Sequence, residues 1–141
     1  MKKLLVPIDG SKNSINAMLK ARKMGEVLGS EITILNVIPA MQDYKYVHNK
    51  DLYKEIERSV LSDSKLLLEN SMRYFEDFPG KVNSVFKRGD PVEEIVKYAE
   101  EGEFDLVVMG SRGLGAFSRT LLGSVSDKVI HHINTSVLIV K

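Results

Sequence analysis

The sequence predicts an α/β fold: a doubly wound, five-stranded parallel sheet with helices on both faces. Short, continuous apolar runs rich in β-branched residues, the mark of strands buried on both sides, alternate along the chain with amphipathic stretches at helical spacing. The junctions between them carry turn and cap chemistry. At 141 residues the chain suits a single domain, residues 1–141, with one sizeable core. Strands joined by helices imply right-handed crossovers, and in such sheets ligands lie beyond the carboxyl ends of the strands, at the switch point of strand order.

Leu4–Leu5–Val6–Pro7–Ile8, closed by Asp9–Gly10–Ser11, reads as a first buried strand. A helix follows, with Ser11 or Asn13 as cap and Ile15, Met18, Ala21, Gly25 and Leu28 on its inner face. Glu31 to Ile38 is β-branched and stops at Pro39, giving a second strand. Residues 40–50, with Tyr44, Tyr46 and His48, show no period and read as a loop. From Asp51 a long helix carries Leu52, Ile56, Val60, Leu67, Ser71 and Phe75 on one stripe and ends before Pro79–Gly80. Val82 to Phe86 makes a third strand. Asp90–Pro91 with Glu93 and Glu94 is a helix start with a capping carboxylate and acids in the first turn, and Val92, Ile95, Val96 and Ala99 face inward. Phe104 to Met109, Ser124 to His132 and Ser136 to Val140 complete the set as strand, helix and strand. No repeat, linker or low-complexity segment interrupts this alternation.

Composition narrows the function classes. With 43% hydrophobic and 28% charged residues and a formal net charge of +1, the chain has the balance of a soluble globular protein and no broad basic field for nucleic acid. The absence of cysteine excludes disulfides, thiolate metal sites and cysteine nucleophiles, and suits a cytoplasmic location. The apolar run after Met1–Lys2–Lys3 is cut by Pro7 and Asp9, so it reads as neither signal peptide nor membrane span.

The chemistry is expected where the fourth strand runs through Gly110–Ser111–Arg112–Gly113–Leu114–Gly115 toward Gly123–Ser124 and a helix. Such a loop presents backbone N–H groups and a positive helix end to one space, which attracts phosphate. It is not a P-loop: Gly110 and Gly115 have the spacing, but Ala116–Phe117 stand where lysine and a hydroxyl are needed. It matches the dinucleotide fingerprint weakly, since Ser118 replaces the third glycine and the loop follows a late strand.

The pattern Gly-x2-Gly-x9-Gly-Ser is met at every position by Gly110, Gly113, Gly123 and Ser124, and it resembles the ATP-binding motif of the universal stress protein family. The likeness extends over the whole chain, through Leu5–Ser11, Val37–Pro39, Gly89–Pro91, Asp105–Ser111 and Val137–Val140; Ser136 departs from it, at a place often held by proline. The resemblance implies a Rossmann-like, adenine nucleotide alpha hydrolase-like fold, with Asp9 holding the ribose and the backbone of Val37 meeting the adenine edge. It further implies that Gly110, Gly113, Gly123, Ser124 and Val125 cradle the phosphates of ATP, with Mg2+ or Mn2+ as an optional companion, and that the protein is a homodimer. A bound Mg2+ would take most of its ligands from phosphates and water.

Plainer readings stand beside these. Each glycine alone is more often a turn or a cap, and Asp9 competes as a cap for the first helix. Arg112 and Arg119 are within reach of terminal phosphates, although loop arginines are usually solvated. His131 and His132 point about 100° apart on a helix and read as surface positions. Ser124, Asp127 and His131 share one helix and so do not make a triad. Three functions follow: an ATP-binding stress protein acting as a homodimeric switch or regulator, a slow ATPase or nucleotide-consuming enzyme, and a nucleotide-free interaction protein. No positioned general base, phosphate-binding lysine or paired carboxylates favour an enzyme, so no catalytic residue and no protein-held metal is assigned. The apolar strand Ser136–Val140 suits a sheet edge that pairs with a second copy.

Overall fold

The computed structural model describes residues 1–40, 47–112 and 122–141. Strands β1 (Lys3–Pro7), β2 (Glu31–Ile38), β3 (Val82–Arg88), β4 (Leu106–Gly110) and β5 (Ser136–Val140) alternate with helices α1 (Lys12–Leu28), α2 (Lys50–Met72), α3 (Pro91–Glu101) and α4 (Ser124–His132). A 3-10 turn, Arg73–Phe75, extends α2. All strand pairs are parallel, in the order β3-β2-β1-β4-β5. The order reverses between β1 and β4, which makes that gap the switch point.

Two apolar layers sandwich the sheet. Leu4, Val6, Ile32, Ile34, Leu106 and Val108 face Ala17, Met18 and Ala21 of α1 and Leu68 of α2. Leu5, Leu35, Val107 and Met109 face Ile95 and Ala99 of α3 and Val129 of α4. Leu4 to Val6 are fully buried, as the continuous apolar run requires of a central strand covered on both faces.

Pro7 stands at the end of this central strand, where a missing N–H normally disrupts a ladder. The structure places it on the β4-facing side: the Ile8 N–H reaches the Leu35 carbonyl of β2 at 2.8 Å, so by alternation Pro7 faces β4. Pairing of β1 with β4 runs over Leu4 and Leu5. The ladder on this side thus ends at the last residue before Pro7 that turns an N–H toward β4.

The helix ends follow local chemistry. Ser11 caps α1 by accepting the Ser14 N–H, and Asp90 caps α3 through the Glu93 N–H, with Pro91 in the first turn. Asp9 is not the cap of α1; its Oδ1 accepts the Ser11 N–H at 2.9 Å in the turn before it.

Some expected core positions face water. Leu28 is 49% exposed, in the last turn of α1 before the chain turns through Gly29. In α2 the buried set is Ser64, Leu68 and Ser71, continued by Phe75, while Leu52 at the start is 47% exposed. Val92 and Val96 of α3 are half-buried. The fourth strand starts at Leu106 because Phe104 still belongs to the turn after α3, its N–H bonded to the Ala99 carbonyl. Tyr44 and Tyr46 lie outside the described residues.

Candidate functional site

The candidate site starts where β1 leaves the sheet. The β1–β2 register closes at Pro7 with Leu35, and the chain then turns at Gly10, whose φ of 87° suits glycine alone without strain. In a parallel ladder alternate residues turn their N–H and C=O to the same neighbour. Leu35 faces β1, so Val37 does too, whereas Ile38 faces β3 and accepts the Gly89 N–H at 2.9 Å. The Val37 backbone groups thus point toward the space that β1 would have filled had it continued. Asp9 stands exposed at the rim of that space. The Val37 side chain packs into the α3/α4 layer, which leaves its backbone as the part facing the gap.

Two buried polar side chains, unremarked in the sequence, fix this corner. Asn36 Nδ2 donates to the Ile8 carbonyl at 2.8 Å, and the Ser64 hydroxyl of α2 donates to Asn36 Oδ1 at 2.7 Å. Both residues are under a tenth exposed, so each bond is made in a setting where an unmet polar group would be costly.

The second half of the site is the end of β4. A Cβ built on Gly110 would stand 2.7 Å from the backbone carbon of Asn13 and 2.9 Å from its Cβ. Glycine is thus required here by the close approach of α1, whatever else the residue does. Asn13 Nδ2 also donates to Ser111 Oγ at 3.2 Å. The Ser111 carbonyl accepts the Gly123 N–H at 2.6 Å and the Ser126 hydroxyl at 3.1 Å, and that hydroxyl lies 3.1 Å from the Gly123 carbonyl as well. These bonds pin the start of α4 to the end of β4.

Gly123 is the cap residue of α4 and makes no side-chain cap bond; its φ of −64° is one that any residue adopts. The first-turn N–H groups, including those of Ser124 and Val125, have no carbonyl within the helix to meet, and the helix dipole adds a partial positive charge there. Val125 buries its side chain against the α3/α4 layer, while Ser124 is exposed.

Asp9, Val37, Gly110, Gly123, Ser124 and Val125 therefore all lie at the carboxyl end of the sheet, around the β1/β4 switch point. Arg112 is half-buried just after β4. Gly113 and Arg119 lie outside the described residues. His131 and His132 are exposed, as expected, with His131 Nδ1 2.7 Å from the Asp127 carbonyl of its own helix. Among the described residues no cluster of three or more metal-ligating side chains occurs, and no helix is long and apolar enough to cross a membrane.

A separate groove of about 570 Å³ lies between α2 and β3, lined by Leu61, Leu68, Met72, Ser84 and Phe86 among others. It is mostly apolar and contains none of the residues that the motif singles out. The strand ends, with their converging backbone donors and a carboxylate, are the better candidate site.

Among the described residues, the carboxylates with altered acidity are remote from this end. The Lys3 and Lys2 backbone N–H groups hold the Asp105 carboxyl below the usual range, and Arg22 does the same for Asp77.

Comparison with known proteins agrees with this architecture. The model of the universal stress protein family matches residues 1–141. The universal stress protein MJ0577 of Methanocaldococcus jannaschii is 30% identical, over 99% of this chain and 94% of its own length. A solved structure of protein MJ0577 superposes with a TM-score of 0.85 at 34% identity, covering 99% of this chain and 95% of that one. The fold is shared with a universal stress protein solved in complex with cAMP (TM-score 0.75, 23% identity, 99% and 97% covered). It is shared too with a universal stress protein family protein of Arabidopsis thaliana solved with AMP bound (TM-score 0.74, 19% identity, 100% and 92% covered). The chain belongs to the universal stress protein family.

Proposed function

We propose that the carboxyl end of the sheet binds an adenine nucleotide, ATP in the first instance. The observation that carries this reading is the exit of β1 at Asp9–Gly10, which leaves the Val37 N–H and C=O directed into a gap beside the Asp9 carboxylate. An adjacent N–H and C=O match the acceptor and donor on the Watson–Crick edge of adenine, and a carboxylate accepts from both ribose hydroxyls. Across the switch point, the α4 first turn offers N–H groups to phosphate. Mg2+ or Mn2+ fits as a companion that is held by phosphates and water. The bound adenine nucleotides of the cAMP and AMP complexes support the same chemistry.

The chain acts as a binding module, a nucleotide-dependent switch or regulator in a cytoplasmic stress response. Hydrolysis is the weaker reading, because the sequence from Gly110 to Ser124 offers no phosphate-binding lysine and no paired carboxylates. β5 is an edge strand whose Val137 to Val140 are half-buried, and pairing of this edge with a second copy makes the homodimer. Equilibrium dialysis of the purified protein with ATP tests the binding: retention of ATP supports it, and none overturns it. ADP release above the free-nucleotide blank, abolished by Asp9→Ala, would replace the pure switch with an ATPase. Sedimentation as a monomer at micromolar concentration would remove the dimer.

A further inference from the structure

We propose that Asn36, held by Ser64, is a positioning residue that keeps the Val37 backbone available to the base and so sets selectivity for a 6-amino purine; this rests on the nucleotide reading above. Had the β1–β2 ladder continued one step in its register, the Val37 N–H would donate to the Ile8 carbonyl. That carbonyl instead receives Asn36 Nδ2 at 2.8 Å. The side chain cannot rotate its acceptor oxygen into that place at no cost, because the Ser64 hydroxyl of α2 donates to Asn36 Oδ1 at 2.7 Å and fixes which end of the amide faces β1.

The two bonds form a continuous buried chain, from α2 through β2 to the Ile8 carbonyl just past the end of β1. Its effect is to end the ladder with a side chain, one residue before Val37. The Val37 N–H is left for an acceptor and its C=O for a donor, the pair presented by the N1 and amino group of a 6-amino purine. A 6-oxo purine presents N1–H and a carbonyl, so it sets donor against donor and acceptor against acceptor. The phosphate end, built from β4 and α4, takes no part in this chain of bonds.

Removing the Asn36 side chain frees the Ile8 carbonyl, and the ladder closes on Val37. The test compares wild type, Asn36→Ala and the milder Ser64→Ala by titration with ATP, with ITP as the 6-oxo analogue and with inorganic tripolyphosphate, alongside amide exchange at Val37 without ligand. Wild type is expected to prefer ATP to ITP. Asn36→Ala is expected to lose about tenfold in ATP affinity and most of that preference while holding tripolyphosphate unchanged, with Ser64→Ala intermediate. Exchange at the Val37 amide is expected to slow about tenfold in Asn36→Ala as the N–H gains a carbonyl.

Equal losses for ATP, ITP and tripolyphosphate would mean that Asn36 merely supports the fold, and would overturn the proposal. A Val37 amide already as protected in wild type as those of the central strand would overturn it too. Failure of wild type to bind ATP while Asn36→Ala still slows Val37 exchange would overturn the nucleotide reading and leave the action of Asn36 on Val37 standing.

Discussion

The two ends of the sheet are built in opposite ways. At the amino end, side chains and backbone close on one another: Asp105 Oδ2 accepts the Lys2 and Lys3 N–H groups at 2.8 and 2.9 Å, the Ser30 hydroxyl donates to the Met1 carbonyl at 2.7 Å, and Lys3 Nζ reaches the Gly102 carbonyl at 2.5 Å. At the carboxyl end the β1–β4 pairing stops at Leu5, Pro7 supplies no donor, Val37 turns its peptide groups to a gap, and α4 starts without a side-chain cap. One end consumes its polar groups and the other presents them. In a parallel sheet both ends begin with the same kinds of groups, so the difference lies in where loops and caps have been placed.

The strongest way to break this contrast is to force the two halves of the open end apart. Gly110→Val puts a side chain where even a Cβ stands 2.7 Å from Asn13 backbone. It is expected to cost about 3 kcal/mol of stability, read by urea denaturation, and to abolish nucleotide binding as α1 shifts. Asp9→Asn separates function from folding. The amide oxygen still accepts the Ser11 N–H, so stability should hold within about 0.5 kcal/mol while ATP affinity in calorimetric titration falls by about 10- to 100-fold.

Ser126→Ala loosens the junction of β4 with α4 by removing the hydroxyl shared by the Ser111 and Gly123 carbonyls. About 1 kcal/mol of stability is expected to go with it, and affinity for tripolyphosphate is expected to fall more than the preference for ATP over ITP.

The closed end gives the smallest effect and a pH signature. The Asp105 carboxyl is held below its ordinary range by the Lys3 and Lys2 N–H groups. A carboxyl lowered in the folded state adds stability that is complete above its unfolded pKa of about 3.9 and is lost as pH falls through the folded value. Asp105→Asn should therefore be less stable than wild type at neutral pH, with the gap closing below about pH 4, as thermal melts at several pH values would record. Nucleotide binding at neutral pH should be unchanged.

Much of the fold was legible because its signals are local. The bounds of β2, α4 and β5, and the Asp90–Pro91 start of α3, follow from β-branched runs and cap chemistry within a few residues. The placement of Asp9 and Gly110 at the carboxyl edge was legible too, since glycine and aspartate at the ends of apolar runs mark that edge of such a sheet.

What escaped were properties that depend on distant neighbours. Asn36 looks like a polar interruption in a strand until Ser64 and Ile8, each 28 residues away, are seen beside it. Gly110 reads as a phosphate glycine, and only the approach of Asn13 reveals its packing reason. Leu28 and Leu52 carry the helical period of core residues, yet they sit in the last turn of α1 and the first turn of α2 and are about half exposed, and periodicity does not encode where a helix stops being covered. Ser111 and Ser126 resemble ordinary small polar residues until the helix start is docked on the strand end.

Nucleotide binding at the carboxyl end of the sheet is tested most directly by following backbone amide shifts of the labelled protein as ATP is added. Shifts are expected at Asp9, Val37 and Ser124 to Ser126, with Lys2, Lys3 and Asp105 unmoved. Shifts confined to Leu61, Leu68 and Phe86, at the α2/β3 groove, or no shifts at millimolar ATP, would contradict it.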